Sequence, residues 1–397
     1  LNSALNVSLK LDTSKATKNT AAGIANGGYW GIPVRPNTTY HVSFYAKAKH
    51  FNGALMVSLV HVINSNNVTV TTSPGFTVFP VGEATQPIVS ATVPRISGEW
   101  KKYEVTLRTG NDVAPSKENR FVISTAQSGT FFNHHCEIWF QQVSLFPPTF
   151  DNQPNGFRPD LMKLLAAMHP KFLRLPRGNY LDGDNFNERF DWKKTIGDIS
   201  QRPGHRSPWN YWSTDGLGLL EYLEWCEDLH MEPLLAVFAG YTLNHDHVNA
   251  GPELQPYVQD ALDEIEYIIG GTNTTWGAVR ARDGHPAPFP LHYVEIGNED
   301  WFDRSGKGSY DRRFAQFYDA IKATYPQLQI MSSVGNEHRS LLVKSRVPDL
   351  VDEHYYRSQE EMELHAHDYD KYPRDPKLPK IFVGEWATSV GSPTPNM

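Results

Sequence analysis

The chain has 397 residues, of which 40% are hydrophobic, 12% aromatic and 20% charged, a balance that excludes an intrinsically disordered chain. Lys and Arg number 37 against 44 Asp and Glu, a formal charge of −7. With no long basic run, a nucleic acid or an anionic membrane is disfavoured as a partner. No apolar stretch approaches the roughly 18 residues needed to cross a bilayer, so a soluble protein is expected.

The two cysteines, Cys136 and Cys226, fall in stretches of different character, which argues against a disulfide framework and against a metal site. Acceptor sequons stand at Asn6, Asn37, Asn67 and Asn273. They give weak support to a secreted, extracellular glycoprotein, because chance supplies a comparable number. Leu1 rather than Met opens the chain, as expected where a leader has been removed or where the sequence begins inside a longer gene product.

From residue 1 to 148 short β-rich runs alternate with polar turns: TYHVSFYAKA (39–48), GALMVSLVHV (53–62), KYEVTLRT (102–109), RFVISTAQ (120–127) and CEIWFQQVSLF (136–146). Period-2 runs at this spacing predict an antiparallel β-sandwich. Pro147 and Pro148 then end the sheet, since proline cannot donate to a ladder. A domain boundary is expected there, with a second domain over 149–397.

In the second stretch short apolar strands alternate with amphipathic helices, the signature of βα units. Strands are predicted at 171–176, 232–238, 291–297, 328–334, 349–356 and 380–386, with helices at 157–170, 215–230, 252–270 and 311–325. No GxGxxG follows the first strand and no P-loop occurs, which favours a parallel barrel over a doubly wound sheet.

Barrel enzymes work at the C-terminal ends of their strands. Here those ends carry Asn179 after the first visible strand, Asn298 and Glu299 after 291–297, His354, Tyr355 and Tyr356 in 349–356, and Glu385 with Trp386 at 380–386. Glu299 and Glu385 stand three strands apart, so they face each other across a barrel mouth. Two such carboxyls about 5–5.5 Å apart suit a retaining glycosidase. An arbitrary strand-end glutamate is more often a surface or helix-start carboxylate. The neighbours shift that balance: Asn298 offers an amide for a hydroxyl, and Trp209, Trp301 and Trp386 offer flat faces for a sugar ring. The pairs His245/His247 and His365/His367 lack a third ligand at recognisable spacing, so solvated histidines are expected there and no metal. No GxSxG or HExxH is present.

At YVEIGNED (293–300) and VGEWA (383–387) the sequence resembles glycoside hydrolase family 51, the α-L-arabinofuranosidases. VSLFPPTF (143–150), NGFRPDL (155–161), FLRLPRGN (172–179), STDGLGLLEYLEWCEDL (213–229) and DEHYY (352–356) extend the likeness in the family's order, resembling stretches of fungal or similar members. The resemblance implies a β-sandwich, carbohydrate-binding-like module over 1–148 followed by a (β/α)8 TIM barrel over 149–397, the first and eighth strands lying outside this chain. Flanking segments of the same gene product would then complete the barrel. It implies Glu299 as acid/base and Glu385 as nucleophile. Asn298 and Asn179 would bind sugar hydroxyls, His354 and Tyr356 would line the subsite and orient Glu385, and Trp209 would lie against the sugar. Arg177 stands where the family's Pro-Gly-Gly-Asn pattern has its first glycine.

The function so implied is a retaining, exo-acting α-L-arabinofuranosidase acting without cofactor on terminal non-reducing residues of an arabinose-containing plant polysaccharide or oligosaccharide, such as arabinoxylan or arabinan. Another retaining barrel glycosidase, a β-xylosidase or endoglucanase, is the rival enzyme. A carbohydrate-binding protein without turnover is the rival of another class.

Overall fold

Alternation of buried and exposed side chains builds the first of two units, Leu1–Lys163 and Leu164–Met397. The computed structural model describes residues 1–13, 21–63, 71–73, 76–78, 85–126, 136–176, 178–302, 309–335, 338 and 341–388. In the first unit the strands are β1 (Leu9–Asp12), β2 (Gly23–Asn26), β3 (Thr39–Lys49), β4 (Leu55–Val62), β5 (Thr71–Ser73), β6 (Phe76–Val78), β7 (Thr85–Val93), β8 (Lys101–Arg108), β9 (Asn119–Thr125) and β10 (Glu137–Phe146). Two four-stranded antiparallel sheets result, ordered β1-β10-β3-β8 and β2-β9-β4-β7, with β5 and β6 as a separate hairpin.

Every second residue of β3 from Tyr40 to Ala48 is buried, and these side chains join Leu55, Val57, Leu59, Phe121, Ile123, Ile138 and Phe140 in one core. Each large apolar side chain so buried contributes about 1.5–3 kcal/mol. The five anticipated strands are present. β1, β2, β5, β6 and β7 are additional: in β7 Pro87 masks the strand signal, and the proline is accommodated because β7 is an edge strand, where a missing N–H need not break a ladder.

Helix α1 (Pro159–Ala167) precedes the second unit's first strand, β11 (Phe172–Leu175). The order then runs α2 (Gly178–Asp182), the small hairpin β12 (His205–Arg206) and β13 (Trp212–Ser213), α3 (Leu219–Asp228), β14 (Glu232–Val237), α4 (Gln255–Ile269), α5 (Thr275–Arg282) and β15 (Tyr293–Ile296). It closes with α6 (Ser309–Thr324), β16 (Gln329–Ser332), β17 (Leu350–Arg357), α7 (Gln359–Leu364) and β18 (Lys380–Thr388).

The six long strands form one parallel sheet in chain order, β11-β14-β15-β16-β17-β18. Its central strands are almost continuously buried, as parallel strands covered on both faces must be. The sheet curls until its two edge strands meet through side chains: the Phe172 and Phe382 rings are 5.3 Å apart, and Arg174 on β11 reaches Glu385 on β18. The architecture is therefore a nearly closed parallel barrel accompanied by a sandwich module. Among the described residues, no helix is long and apolar enough to cross a membrane.

Candidate active site

At the end of β15 the chain must turn sharply. Gly297 takes φ 83° and Glu299 φ 49°, the left-handed region that glycine enters freely and glutamate only at a cost of about 1 kcal/mol or more. A β-carbon on Gly297 would lie 2.0 Å from Asp300 Oδ2, so no larger residue fits. Asp300 locks the turn through Arg313 at 2.8 Å and the Ser333 hydroxyl at 2.9 Å. The strained φ at Glu299 is the local feature that aims its carboxylate towards His354.

A second irregularity supplies the partner. β17 and β18 shift register between Glu353 and His354, so that His354 pairs with Glu385 across the ladder. A bulge of this kind re-aims the residues beyond it. His354 Nδ1 lies 2.7 Å from Glu299 Oε1 and 3.7 Å from Glu385 Oε2. The His354 imidazole thus bonds Glu299 and stands just beyond bonding distance of Glu385. Its Nε2 meets Asp352 Oδ2 at 2.9 Å. Burial opposes a charge on this ring, but its bonds to Asp352 and Glu299 and the charges of Asp352 and Glu385 outweigh burial and raise its pKa to about 10. The ring is an imidazolium at neutral pH, a donor at both nitrogens.

Glu385 is held from two sides. Arg174 Nη1 donates to its Oε1 at 3.0 Å and the Tyr356 hydroxyl to its Oε2 at 2.6 Å. Arg174 also forks onto Glu295, with Nε donating at 2.6 Å and Nη2 at 3.0 Å, and donates from Nη2 to Asn298 Oδ1 at 2.9 Å. Glu295 on β15 and Asp352 on β17, both fully buried, divide their ionisation. Burial raises Glu295 to about 8, with the Asp352 charge adding to it. Asp352 is held below the usual carboxylate range: burial opposes its charge, but its bond to His354 and the charge of Arg174 prevail.

Asn298, fully buried, donates from Nδ2 to Asn179 Oδ1 at 3.3 Å and Asp182 Oδ2 at 3.2 Å. Burial raises Asp182 well above the ordinary aspartate value, and the charges of Asp300 and Glu299 add to the effect. Asn179, Asn298, Glu299, His354, Tyr356 and Glu385 are thus brought to one cluster. Trp209 lies at the tip of the β12–β13 hairpin, 49% exposed, and the hairpin is tied to the α2 side of the site by Tyr180, whose hydroxyl is 2.5 Å from Ser213 Oγ. Trp301 stacks on His338 at 4.6 Å and meets His354 edge-on at 5.1 Å, while Trp386 is exposed. Arg177 lies outside the described residues.

Glu299, His354 and Glu385 each bring one oxygen or nitrogen within 4.8 Å of the others. His354 Nδ1 lies 2.7 Å from Glu299 and its Nε2 2.9 Å from Asp352, so both ring nitrogens already face carboxylates. The paired histidines of the sequence have other partners: His245 meets the Tyr241 hydroxyl, His247 meets Asn249, and His365 and His367 meet Asp368 and Asp370.

A family model described as the alpha-L-arabinofuranosidase 1 domain matches residues 164–374, the stretch that holds Arg174, Glu299 and His354. The chain belongs to the α-L-arabinofuranosidase family, glycoside hydrolase family 51. It is 36% identical over 392 residues to alpha-L-arabinofuranosidase A of Aspergillus kawachii, covering 98% of this chain and 57% of that protein. It is 34% identical over 370 residues to alpha-L-arabinofuranosidase 2 of Arabidopsis thaliana, covering 92% of this chain and 49% of that protein. The arabinose-bound structure of the MgGH51 α-L-arabinofuranosidase superposes with a TM-score of 0.79 at 34% identity, covering 97% of this chain and 57% of that one. This family 51 chain therefore spans about half the length of these relatives.

Sequence reasoning missed Arg174, Asp182, Glu295 and Asp352. A signal for three of them was present: each is a charged residue inside an apolar strand run, FLRL, YVEI and LVDEHYYR, where a charge is tolerated only if it is paired. Which charge meets which depends on the closure of the family 51 barrel, and no spacing along the chain encodes it.

Proposed function

We propose that this chain carries the reacting groups of a retaining, exo-acting α-L-arabinofuranosidase, which removes terminal non-reducing α-L-arabinofuranosyl residues from arabinoxylan or arabinan by double displacement. One observation carries the reading: carboxylate oxygens of Glu299 and Glu385 lie within 4.8 Å of one another. Carboxyls about 5–5.5 Å apart leave no room for an intervening water, whereas inverting enzymes need about 6.5–9.5 Å.

In this reading Glu385 is the nucleophile. The bonds from Arg174 and Tyr356 fix its carboxylate, and it attacks the anomeric carbon while Glu299 passes its proton to the departing oxygen. Water then attacks the glycosyl ester as Glu299 takes its proton, and Glu385 is released. Asn298 and Asn179 serve the sugar hydroxyls, with Tyr356, Trp209 and Trp386 offering apolar faces to the ring and its aglycone.

The barrel is read as a (β/α)8 barrel with its first and eighth strands supplied by preceding and following segments of the gene product. Support comes from the edges: Phe172 on β11 is 50% exposed and Val383 on β18 is 38% exposed. Such apolar edge strands call for cover. Secretion to the outside of the cell fits a polymeric plant substrate. Hydrolysis of p-nitrophenyl α-L-arabinofuranoside by the full-length enzyme, with ¹H NMR of the first product, tests the reading. The anomeric configuration is expected to be retained and Glu385→Gln to abolish turnover. An inverted first product, or an active Glu385→Gln enzyme, would overturn it.

A further inference from the structure

A third carboxylate, Asp352, lies fully buried beside the groups that hold Glu299 and Glu385. Its oxygens are divided between two tasks. Oδ1 accepts the backbone N–H of Gly384, the residue immediately before Glu385, at 2.7 Å. Oδ2 accepts His354 Nε2 at 2.9 Å and lies 3.4 Å from Arg174 Nη2. The approach is close enough to need glycine, because a β-carbon on Gly384 would sit 2.5 Å from both Asp352 oxygens.

We propose that Asp352 is the positioning residue of this site: one oxygen holds the amide that precedes Glu385 and the other holds the imidazole that bonds Glu299, so that a single buried side chain sets the geometry of both reacting carboxylates. The proposal rests on the assignment of Glu299 as acid/base and Glu385 as nucleophile. The Asp352–His354 pair is neutral as a whole but presents its positive end to Glu299. That end lies between two like charges and eases their repulsion. The charged and titratable groups facing the imidazole are Asp352 on its own strand, Glu299 after β15, Glu385 on β18, and Arg174 and Glu295 behind Asp352.

Asp352→Asn in the full-length enzyme is the test. Asparagine has one acceptor oxygen where aspartate has two. With that oxygen on the Gly384 amide, its NH2 faces Nε2, which must then accept, leaving His354 neutral with its proton on Nδ1. The expected result is a loss of about 10²-fold in kcat with KM little changed. The alkaline limb of kcat/KM should move to higher pH, because a nearby positive end has been removed. A merely structural role would lower kcat and leave the limb in place; an unmoved limb, or an unchanged kcat, overturns the proposal.

Should the variant not fold, nitrogen-15 NMR of histidine side chains in the unaltered enzyme reads the same pairing. The His354 signals, assigned by their loss in His354→Gln, should remain those of an imidazolium through about pH 8, as a pKa near 10 requires. Titration at the ordinary 6.5 overturns the proposal. This measurement needs no turnover. Failure of the hydrolase reading would show separately, as no release of p-nitrophenol from the arabinofuranoside by the unaltered enzyme.

Discussion

Gly178 stands against Glu385: a β-carbon built on Gly178 would lie 2.5 Å from Glu385 Oε1. Because Arg174 and Tyr356 pin the same carboxylate at 3.0 and 2.6 Å, Glu385 has little freedom to step aside. The first residue of α2 is therefore part of the wall that shapes the Glu385 carboxylate.

Gly178→Ala should separate stability from activity. Gly178 is not among the glycines with positive φ, and alanine is the better helix former by about 1 kcal/mol. The helix gain offsets the cost of the close contact, so the melting temperature should change little, while displacement of Glu385 by a fraction of an ångström to an ångström lowers kcat by about 10²-fold. Melting curves and kcat from one preparation check both.

Glu299→Ala should discriminate between leaving groups. Aryl arabinofuranosides with acidic phenols need little protonation, so their cleavage should be spared far more than that of natural branches. Rates across a series of phenols check this. A uniform loss would move Glu299 out of the acid/base role.

Tyr356→Phe removes the 2.6 Å bond to Glu385 Oε2 and nothing else from the ring. Burial raises the pKa of the phenol, and its bond to Glu385 and that group's charge add to the effect, so Tyr356 remains a donor across neutral and moderately alkaline pH. A hydrogen bond to a charged acceptor contributes about 1.5–3 kcal/mol, so kcat should fall roughly 10- to 100-fold. The fold should be unaffected, and circular dichroism with steady-state kinetics distinguishes the two.

Stability should fall as the solution becomes alkaline. His354 is raised from 6.5 to about 10 and Glu295 from 4.5 to about 8, so each holds a proton in the folded chain that the unfolded chain would release. Their contributions are complete below the unfolded values and are lost as pH rises through the folded ones, over 4.5 to about 8 for Glu295 and 6.5 to about 10 for His354. Asp352, depressed in the fold, acts in the opposite sense and loses its contribution as pH falls. Thermal melts from pH 6 to pH 10 should show a declining midpoint, with a shallower decline above about pH 8 in His354→Gln.

Residue order alone determined the six barrel strands, because each is an apolar run bounded by polar turns, and it determined most of the sandwich, because β3 and β9 alternate strictly between more and less buried positions, as β10 does over its first half. It also marked Glu299, His354, Tyr356 and Glu385, since groups that work at a barrel mouth sit where strands end. The tertiary structure alone decided the electrostatics. Arg174 and Asp352 are 178 residues apart in number, yet their side chains lie 3.4 Å from one another, and Arg174 and Glu385, 211 apart, are hydrogen-bonded. The bulge that turns His354 towards Glu299 and the left-handed φ of Glu299 follow from the pairing of β17 with β18 and from the packing of Asp300 on Arg313. Periodicity reports which face of a strand is buried; it carries no record of which distant strand will bring the opposite charge, because that is set by how the sheet curls.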